Sequence, residues 1–324
     1  QGKGYTAEIY KKSKYLDDSI AESTGIWAGR HFETDDAIIF VGACGIAVRS
    51  IAPYVASKKS DPAVLVIDEC GKFVISLLSG HLGGANELTL EVAELLGAVP
   101  VVTTATDLHH RFAVDVFAKK NCCGIQNMKA AKAVSAALLA GEPVGFYSEF
   151  PWTGKLPEGL EESSEDTQDK PEIGIAVTIH PTCKPFTSTV QIIPRVVTLG
   201  MGCRRNKEAD VIEKEASVCL ADADIYSQAV EKLTSISIKK DEVGLQKLAE
   251  DWRIPFITFE EEELSHAEGE FTPSEFVKKI TGVNNVCERS AVLGAEQGRL
   301  IKNKTGRNGV TTALALRNWE VHFE

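Results

Sequence analysis

An α/β protein of several domains, built from open sheets whose strands run through glycine-bearing loops into helices, is what this chain predicts. Three observations carry that expectation. Apolar, strand-like runs end in glycine and pass into helical patterns at "VGACGIAV", "LLSGHLGGANELT" and "GMGCRRNK", the strand, loop, helix alternation of α/β layers. The 324 residues exceed what one hydrophobic core usually holds, so two or three domains are expected. Apolar residues at 44% and charged residues at 25% match ordinary globular composition and leave little room for wholesale disorder.

Taken in order, residues 37–48, "AIIFVGACGIAV", read as a buried strand and a glycine-punctuated turn, with a short helix following through Arg49 to Val55. "PAVLVIDECGKFVISLL" divides into two strands around Glu69, Cys70, Gly71 and Lys72, a hairpin turning at the glycine. In "NELTLEVAELLGAVPVVTTATD", Leu88, Val92, Leu95 and Leu96 share one helical face, Gly97 ends the helix, and "VPVVTT" supplies the next strand. These elements make a first domain of residues 1–108. A middle domain, 109–192, holds the helix "MKAAKAVSAALLAG", ended by Gly141, and the strands "PVGFYS" and "EIGIAVTIH"; between them "PEGLEESSEDTQDKPE" reads as a solvated acidic loop. In a third α/β domain, 193–324, "IIPRVVTLGMGCRRNKEADVIEKEA" reads as strand, glycine-containing loop and helix, and "VGLQKLAEDWRIPFITF" as helix and strand. "TPSEFVKKI" starts a helix with Thr272 as cap and Pro273 at its first position. "RLIKNKTGRNGVTTALAL" closes the chain as a hairpin whose turn holds Lys304, Gly306, Arg307 and Gly309.

Composition excludes several classes of function. The longest apolar stretches fall far short of the roughly 20 residues a membrane-spanning helix needs, so no membrane association is expected. The first residues lack the apolar core of a signal peptide, and Gln1 in place of Met suggests a trimmed chain. Eight cysteines, at 44, 70, 122, 123, 183, 203, 219 and 287, form no C-x-x-C pair and no zinc or iron–sulfur spacing. Reduced, mostly buried thiols and a cytoplasmic location follow. A net charge of −11 argues against nucleic acid as a partner, because phosphate binding needs concentrated positive charge.

The loops carry the chemistry. Gly80, His81, Gly83 and Gly84 precede a helix that starts near Asn86. Glycines let a ligand approach the backbone, and the helix start offers N–H groups and a positive dipole end, a place suited to anions. An imidazole beside such a terminus should remain mostly the free base and serve proton transfer, with Glu87 in the first turn to orient it. Neither G-x-G-x-x-G nor a P-loop pattern occurs. Gly42, Gly45 and Arg49 follow another strand end, where ligands gather in open α/β sheets and a guanidinium can clamp a carboxylate. Thr103, Thr104, Thr106 and Asp107 end a third strand and either cap a turn or face a ligand. Arg204, Arg205 and Lys207 stand at a helix start, where cations oppose the dipole, a local cost that points to function.

At "VGACGIAVRSIAP", "DPAVLVIDECGKFVISLLSGHLGGANELT", "VPVVTTATD" and "LGMGCRRNK" the sequence closely resembles the cobalt-precorrin-5A hydrolases, the CbiG family of anaerobic cobalamin biosynthesis. The likeness runs from about residue 25 through N-terminal and middle regions to a C-terminal domain similar to CobE. It implies an anionic, cobalt-bearing, ring-contracted tetrapyrrole whose ring A acetate is tied as a δ-lactone, which the enzyme opens with release of acetaldehyde. It requires no resident cofactor, since cobalt travels in the substrate. From the position of the loop and its motif, His81 is expected to move the proton and Glu87 to orient it, and amides near Gly83 and Gly84 to meet charge on the lactone oxygen. Gly42, Gly45, Gly80, Asn86, Thr104 and Asp107 line the substrate, and Arg49, Arg204 and Arg205 hold its carboxylates. Arg307 and Asn308 before Gly309, and "RRNK" in place of Arg-Arg-Gly, depart from the usual pattern. A homodimer and transient contact with neighbouring pathway enzymes are compatible partners. A non-catalytic corrinoid carrier and a nucleotide-binding oxidoreductase are the alternative readings, the second opposed by the missing phosphate fingerprints.

Overall fold

The computed structural model describes residues 5–57, 60–81, 83–104, 112–164, 169–274 and 282–323. The chain divides into two compact units, Gln1–Arg111 and Phe112–Glu324. Both are mixed α/β, as the strand, glycine and helix pattern predicts.

The first unit orders α1 (Thr24–Thr34), β1 (Ala37–Val41), α2 (Cys44–Ile51), β2 (Ala63–Ile67), β3 (Phe73–Leu78), α3 (Ala85–Leu96) and β4 (Val99–Val101). Its sheet runs β1-β2-β3-β4. β1 and β2 are parallel, β2 and β3 antiparallel, β3 and β4 parallel. The expected hairpin is β2–β3. Gly71 turns it at φ +65, a conformation that costs glycine little. The Asp68 carboxylate accepts from the backbone N–H groups of Phe73 (2.6 Å) and Cys70 (3.1 Å), which hold its carboxyl below the ordinary range.

Three local expectations change. β1 is an edge strand rather than a buried one, with Ile39 40% and Val41 72% exposed. The following helix starts at Cys44 and ends at Ile51, earlier than the run to Val55. In α3 the buried face is Ala85, Asn86, Thr89 and Ala93, whereas Leu95 and Leu96 are exposed. Leu88 and Val92 of the expected face are half-buried against this core, so it is only the last turn that leaves it. Gly97 ends α3 in the left-handed conformation, its N–H bonding to the Ala93 and Glu94 carbonyls.

The second unit contains α4 (Val114–Lys120), β5 (Cys123–Gln126), α5 (Met128–Ala140), β6 (Val144–Ser148), β7 (Trp152–Thr153), β8 (Leu160–Glu162), β9 (Ile173–Val177), β10 (Ser188–Pro194), β11 (Val197–Cys203), α6 (Ala209–Asp222), β12 (Val230–Ile236), α7 (Val243–Trp252), β13 (Phe256–Phe259), α8 (Glu261–Ser265), α9 (Cys287–Gly294), β14 (Arg299–Arg307), β15 (Val310–Leu316) and β16 (Val321–His322). Its two five-stranded sheets run β5-β10-β9-β6-β8 and β13-β12-β11-β15-β14, with β16 and β7 in a two-stranded ribbon. One continuous core joins them, from Val134, Phe146, Ile175 and Ile192 to Leu199, Ile212, Leu233 and Leu314. The expected division at 192/193 falls inside β10, and β11 follows it after two residues.

Part of the acidic run is strand: β8 pairs parallel to β6, and Leu160 is buried. Gly200 and Gly202, expected in a loop, lie within β11. A Cβ on Gly200 would collide with the Cys287 carbonyl, so glycine lets α9 press against the sheet. The helix expected in "TPSEFVKKI" lies almost wholly outside the described residues; Thr272, its expected cap, donates its hydroxyl to Glu288 (2.8 Å). That carboxylate is 0% exposed and also accepts from the N–H of Thr272 (2.7 Å), Nδ2 of Asn285 (2.7 Å) and the N–H of Lys304 (2.6 Å). The closing hairpin forms as β14–β15, turning at Asn308 (φ +50) and Gly309 (φ +75), while Lys304, Gly306 and Arg307 are strand residues. Two consecutive left-handed residues are the signature of a type I′ turn, for which Asn-Gly is the favoured pair.

Candidate active site

The loop between β3 and α3 is built from its own backbone. Ser79 takes φ +59, and its carbonyl accepts from the Ala85 N–H (3.2 Å). The N–H of Asn86 donates to the Gly80 carbonyl (2.9 Å) and that of Gly84 to the His81 carbonyl (3.0 Å). Gly84, the N-cap residue of α3, is left-handed at φ +84. Gly83 must lack a side chain, because a Cβ there would stand 2.7 Å from the Ser79 carbonyl oxygen.

Asn86 locks this loop to the sheet. The side chain is 7% exposed; its Oδ1 accepts from Ser76 Oγ on β3 (2.6 Å), and its Nδ2 donates to Thr104 Oγ1 beyond β4 (3.0 Å). A Cβ on Gly80 would stand 2.7 Å from that Oδ1, so Gly80 makes room for the amide. Ser76, Gly80, Asn86 and Thr104 form one network in the loop that carries the half-buried His81. Asn86 and Thr104, expected against the substrate, spend these groups on each other.

Other assignments shift too. The Gly84, Ala85 and Asn86 amides are occupied by loop carbonyls, so they are not the bare donors expected for an oxyanion. Glu87, expected to orient His81, is exposed in the first turn of α3. Asp107 lies outside the described residues.

Sheet polarity separates the two glycine loops of this unit. Because β2 and β3 are antiparallel, the carboxyl end of β1 lies at the hairpin end of the sheet and that of β3 at the opposite end. Gly42, at φ +144, donates its N–H to the Ile67 carbonyl (2.8 Å) at the hairpin end. Arg49 is exposed and folds back along α2, its Nη1 donating to the carbonyl of exposed Gly45 (3.1 Å). His81, Gly80, Asn86 and Thr104 gather at the other end.

In the second unit Arg204 and Arg205 are exposed in the loop after β11, ahead of the helix rather than in it, since α6 begins at Ala209. Among the described residues neither is ion-paired, whereas neighbouring Arg307 pairs with Asp222 (3.3 Å). Sequence reasoning did not mark an open cleft of about 430 Å³ lined by Gln126, Asn127, Lys184, Phe186, Gln191 and Tyr226. Its amides are largely spent inside the fold: Gln191 donates to the carbonyls of His180, Pro181 and Cys183 and accepts from the Tyr226 hydroxyl (2.8 Å). No pattern in the sequence brings these dispersed residues together.

The fold and the half-buried imidazole loop define an α/β protein that carries a candidate proton-transfer residue on a glycine turn. Family models named "Cobalamin synthesis G N-terminal", "Cobalamin biosynthesis central region" and "Cobalamin synthesis G C-terminus" match residues 27–107, 112–194 and 197–315. A cobalt-precorrin-5A hydrolase from Salmonella typhimurium is 37% identical over 89% of this chain and 84% of its own. Another, from Priestia megaterium, is 35% identical over 87% of this chain and 79% of its own. Protein CobE of a Sinorhizobium species is 29% identical over 37% of this chain and 79% of its own. The chain belongs to the CbiG family of cobalamin-biosynthesis enzymes.

Proposed function

We propose that the protein hydrolyses cobalt-precorrin-5A: water opens the ring A acetate δ-lactone, and acetaldehyde leaves to give cobalt-precorrin-5B in anaerobic cobalamin biosynthesis. The relatives' names support the substrate and the hydrolytic class. One structural observation carries the mechanism: a half-buried imidazole on a loop clamped by the Ser76–Asn86–Thr104 network.

His81 takes a proton from the attacking water. Cleavage of the acyl–oxygen bond leaves a carboxylate on ring A and a hydroxyl on the extruded carbon. When that hydroxyl gives up its proton and its carbon becomes a carbonyl, the carbon–carbon bond to the macrocycle breaks. The electron pair passes into the electron-deficient ring, and the two-carbon fragment departs as acetaldehyde. His81 shuttles this proton as well. Asn86 positions His81, and Arg204 and Arg205 take substrate carboxylates. Cobalt belongs to the substrate. The free thiols of Cys44, Cys70, Cys122, Cys123, Cys203, Cys219 and Cys287 support a reducing compartment, the cytoplasm.

The test is anaerobic incubation of the purified protein with the lactone, followed by mass measurement and aldehyde trapping. One acetaldehyde per opened macrocycle is expected. The His81→Gln protein, folded as the parent, should bind the corrinoid and lose turnover; near-parental turnover would remove His81 from the mechanism. Corrinoid binding without acetaldehyde in the parent protein would make the chain a carrier.

A further inference from the structure

We propose that the Asn308–Gly309 turn is the positioning element for Arg204, holding its guanidinium ready for a carboxylate of the anionic tetrapyrrole; this rests on the carboxylate-binding reading of Arg204 above. Arg204 is tied to the turn through its backbone, its N–H donating to the Gly309 carbonyl (2.9 Å). Its side chain lies across the face that glycine leaves bare. A Cβ on Gly309 would stand 3.0 Å from Arg204 Cδ and 3.3 Å from both Cγ and Nε. Gly309 thus serves as a ledge as well as a turn residue.

The ledge is itself anchored. Asn308 Nδ2 donates to Oε1 of Glu215 (2.7 Å), a carboxylate on α6 that is 6% exposed. On the strand side, Cys203 pairs with Val310, so the residue before Arg204 and the residue after Gly309 lie in one ladder. The tip therefore has a fixed height above α6, and the arginine stem has a fixed surface to lie on. A guanidinium held this way loses less side-chain freedom when it captures a carboxylate. Arg204 is exposed and, among the described residues, meets no carboxylate of the protein. Arg307, one residue before the turn, is by contrast neutralised by Asp222.

Gly309→Ala strains the turn, because φ +75 suits glycine. Gly309→Asn is the cleaner variant: asparagine tolerates the left-handed region while its Cβ still meets Arg204. In full-length protein assayed with the lactone, Gly309→Asn should raise KM about tenfold and leave kcat within about twofold, the pattern of lost uniform binding. In an Arg204→Ala background the same change should add nothing further, since its effect passes through the arginine. A Gly309→Asn protein with parental KM, beside an Arg204→Ala protein with raised KM, would overturn the inference; so would a KM increase that persists in full in the Arg204→Ala background. If Arg204→Ala alone leaves KM unchanged, the carboxylate reading of Arg204 fails and the inference goes with it.

Discussion

Asn86→Ala tests the claim that the loop carrying His81 is held by the Ser76–Asn86–Thr104 network. The substitution removes the hydrogen bonds with Ser76 Oγ (2.6 Å) and Thr104 Oγ1 (3.0 Å) and empties a site that is 7% exposed. Each neutral hydrogen bond contributes about 1 kcal/mol net, and the vacated volume adds about 1 kcal/mol, so the first unit should lose about 3 kcal/mol. For a unit of this size that lowers the unfolding midpoint by on the order of 10 °C. The larger consequence is kinetic. With the clamp gone, the loop from Ser79 to Asn86 keeps its backbone bonds but loses its tie to β3 and β4. A displacement of about 1 Å at His81 should reduce kcat on the order of a hundredfold, with KM little changed because no substrate contact is removed. Calorimetry and anaerobic acetaldehyde release at 15 °C, where the variant remains folded, separate the two effects. Asn86→Asp keeps an acceptor for Ser76 and lets the Thr104 hydroxyl turn and donate, so it should fall between parent and Asn86→Ala. A folded Asn86→Ala protein with a kcat within about threefold of the parent would refute the positioning role.

Three further outcomes follow from the second unit and from the thiols. Glu288→Ala strands four donors around a fully buried position and should cost about 3–5 kcal/mol in denaturant unfolding, with Glu288→Gln costing clearly less. Gly200→Ala should force α9 off β11 and lower stability by about 2 kcal/mol or more, read as a reduced melting temperature. Burial pushes the Cys123 and Cys287 thiols up to about 12 and that of Cys203 to about 11. At about pH 8 their thiolate fractions are on the order of one in a thousand or less, so brief iodoacetamide treatment should modify exposed Cys70 and Cys122 and spare those three in peptide mass analysis.

What the sequence made legible follows from which signals are local. The β2–β3 and β14–β15 hairpins and the ends of α3 and α5 were readable because Gly71, Gly309, Gly97 and Gly141 occupy left-handed turn positions whose demand is set by adjacent residues. β1 was misplaced in burial because an apolar run does not reveal whether a second strand flanks it. On α3 the expected face holds at Leu88 and Val92, which pack against the core, and fails at Leu95 and Leu96, because periodicity marks an apolar stripe but not the residues that Ala85, Thr89 and Ala93 bring inside. Gly200 looked like a loop because the helix that explains it, α9, lies 87 residues further on. The same limit applies to the candidate site. The glycine spacing around His81 was visible, but the Ser76–Asn86–Thr104 network depends on three elements meeting, and the grouping of Arg49 with His81 depends on strand direction.

Strand direction gives a further prediction, on Arg49. Val41 pairs with Ile67, and Ile67 lies opposite Val74, the second residue of β3; Val64 lies opposite Leu78, its last. The turn after β1 and the turn after β3 are thus separated by a strand of five residues, about 17 Å at about 3.3 Å per residue. The Arg49 guanidinium does not close that gap, because its Nη1 is turned back to the Gly45 carbonyl in the first turn of α2. Held there, Arg49 is not expected to touch the acyl carbon proposed to react beside His81. Arg49→Ala should therefore leave kcat within about twofold of the parent and cost α2 no more than about 1 kcal/mol, while His81→Gln abolishes turnover. Steady-state acetaldehyde release from the two proteins side by side decides it. A fall in kcat with Arg49→Ala as deep as that with His81→Gln would mean that both loops act on one reacting centre and would refute the separation argued from strand direction.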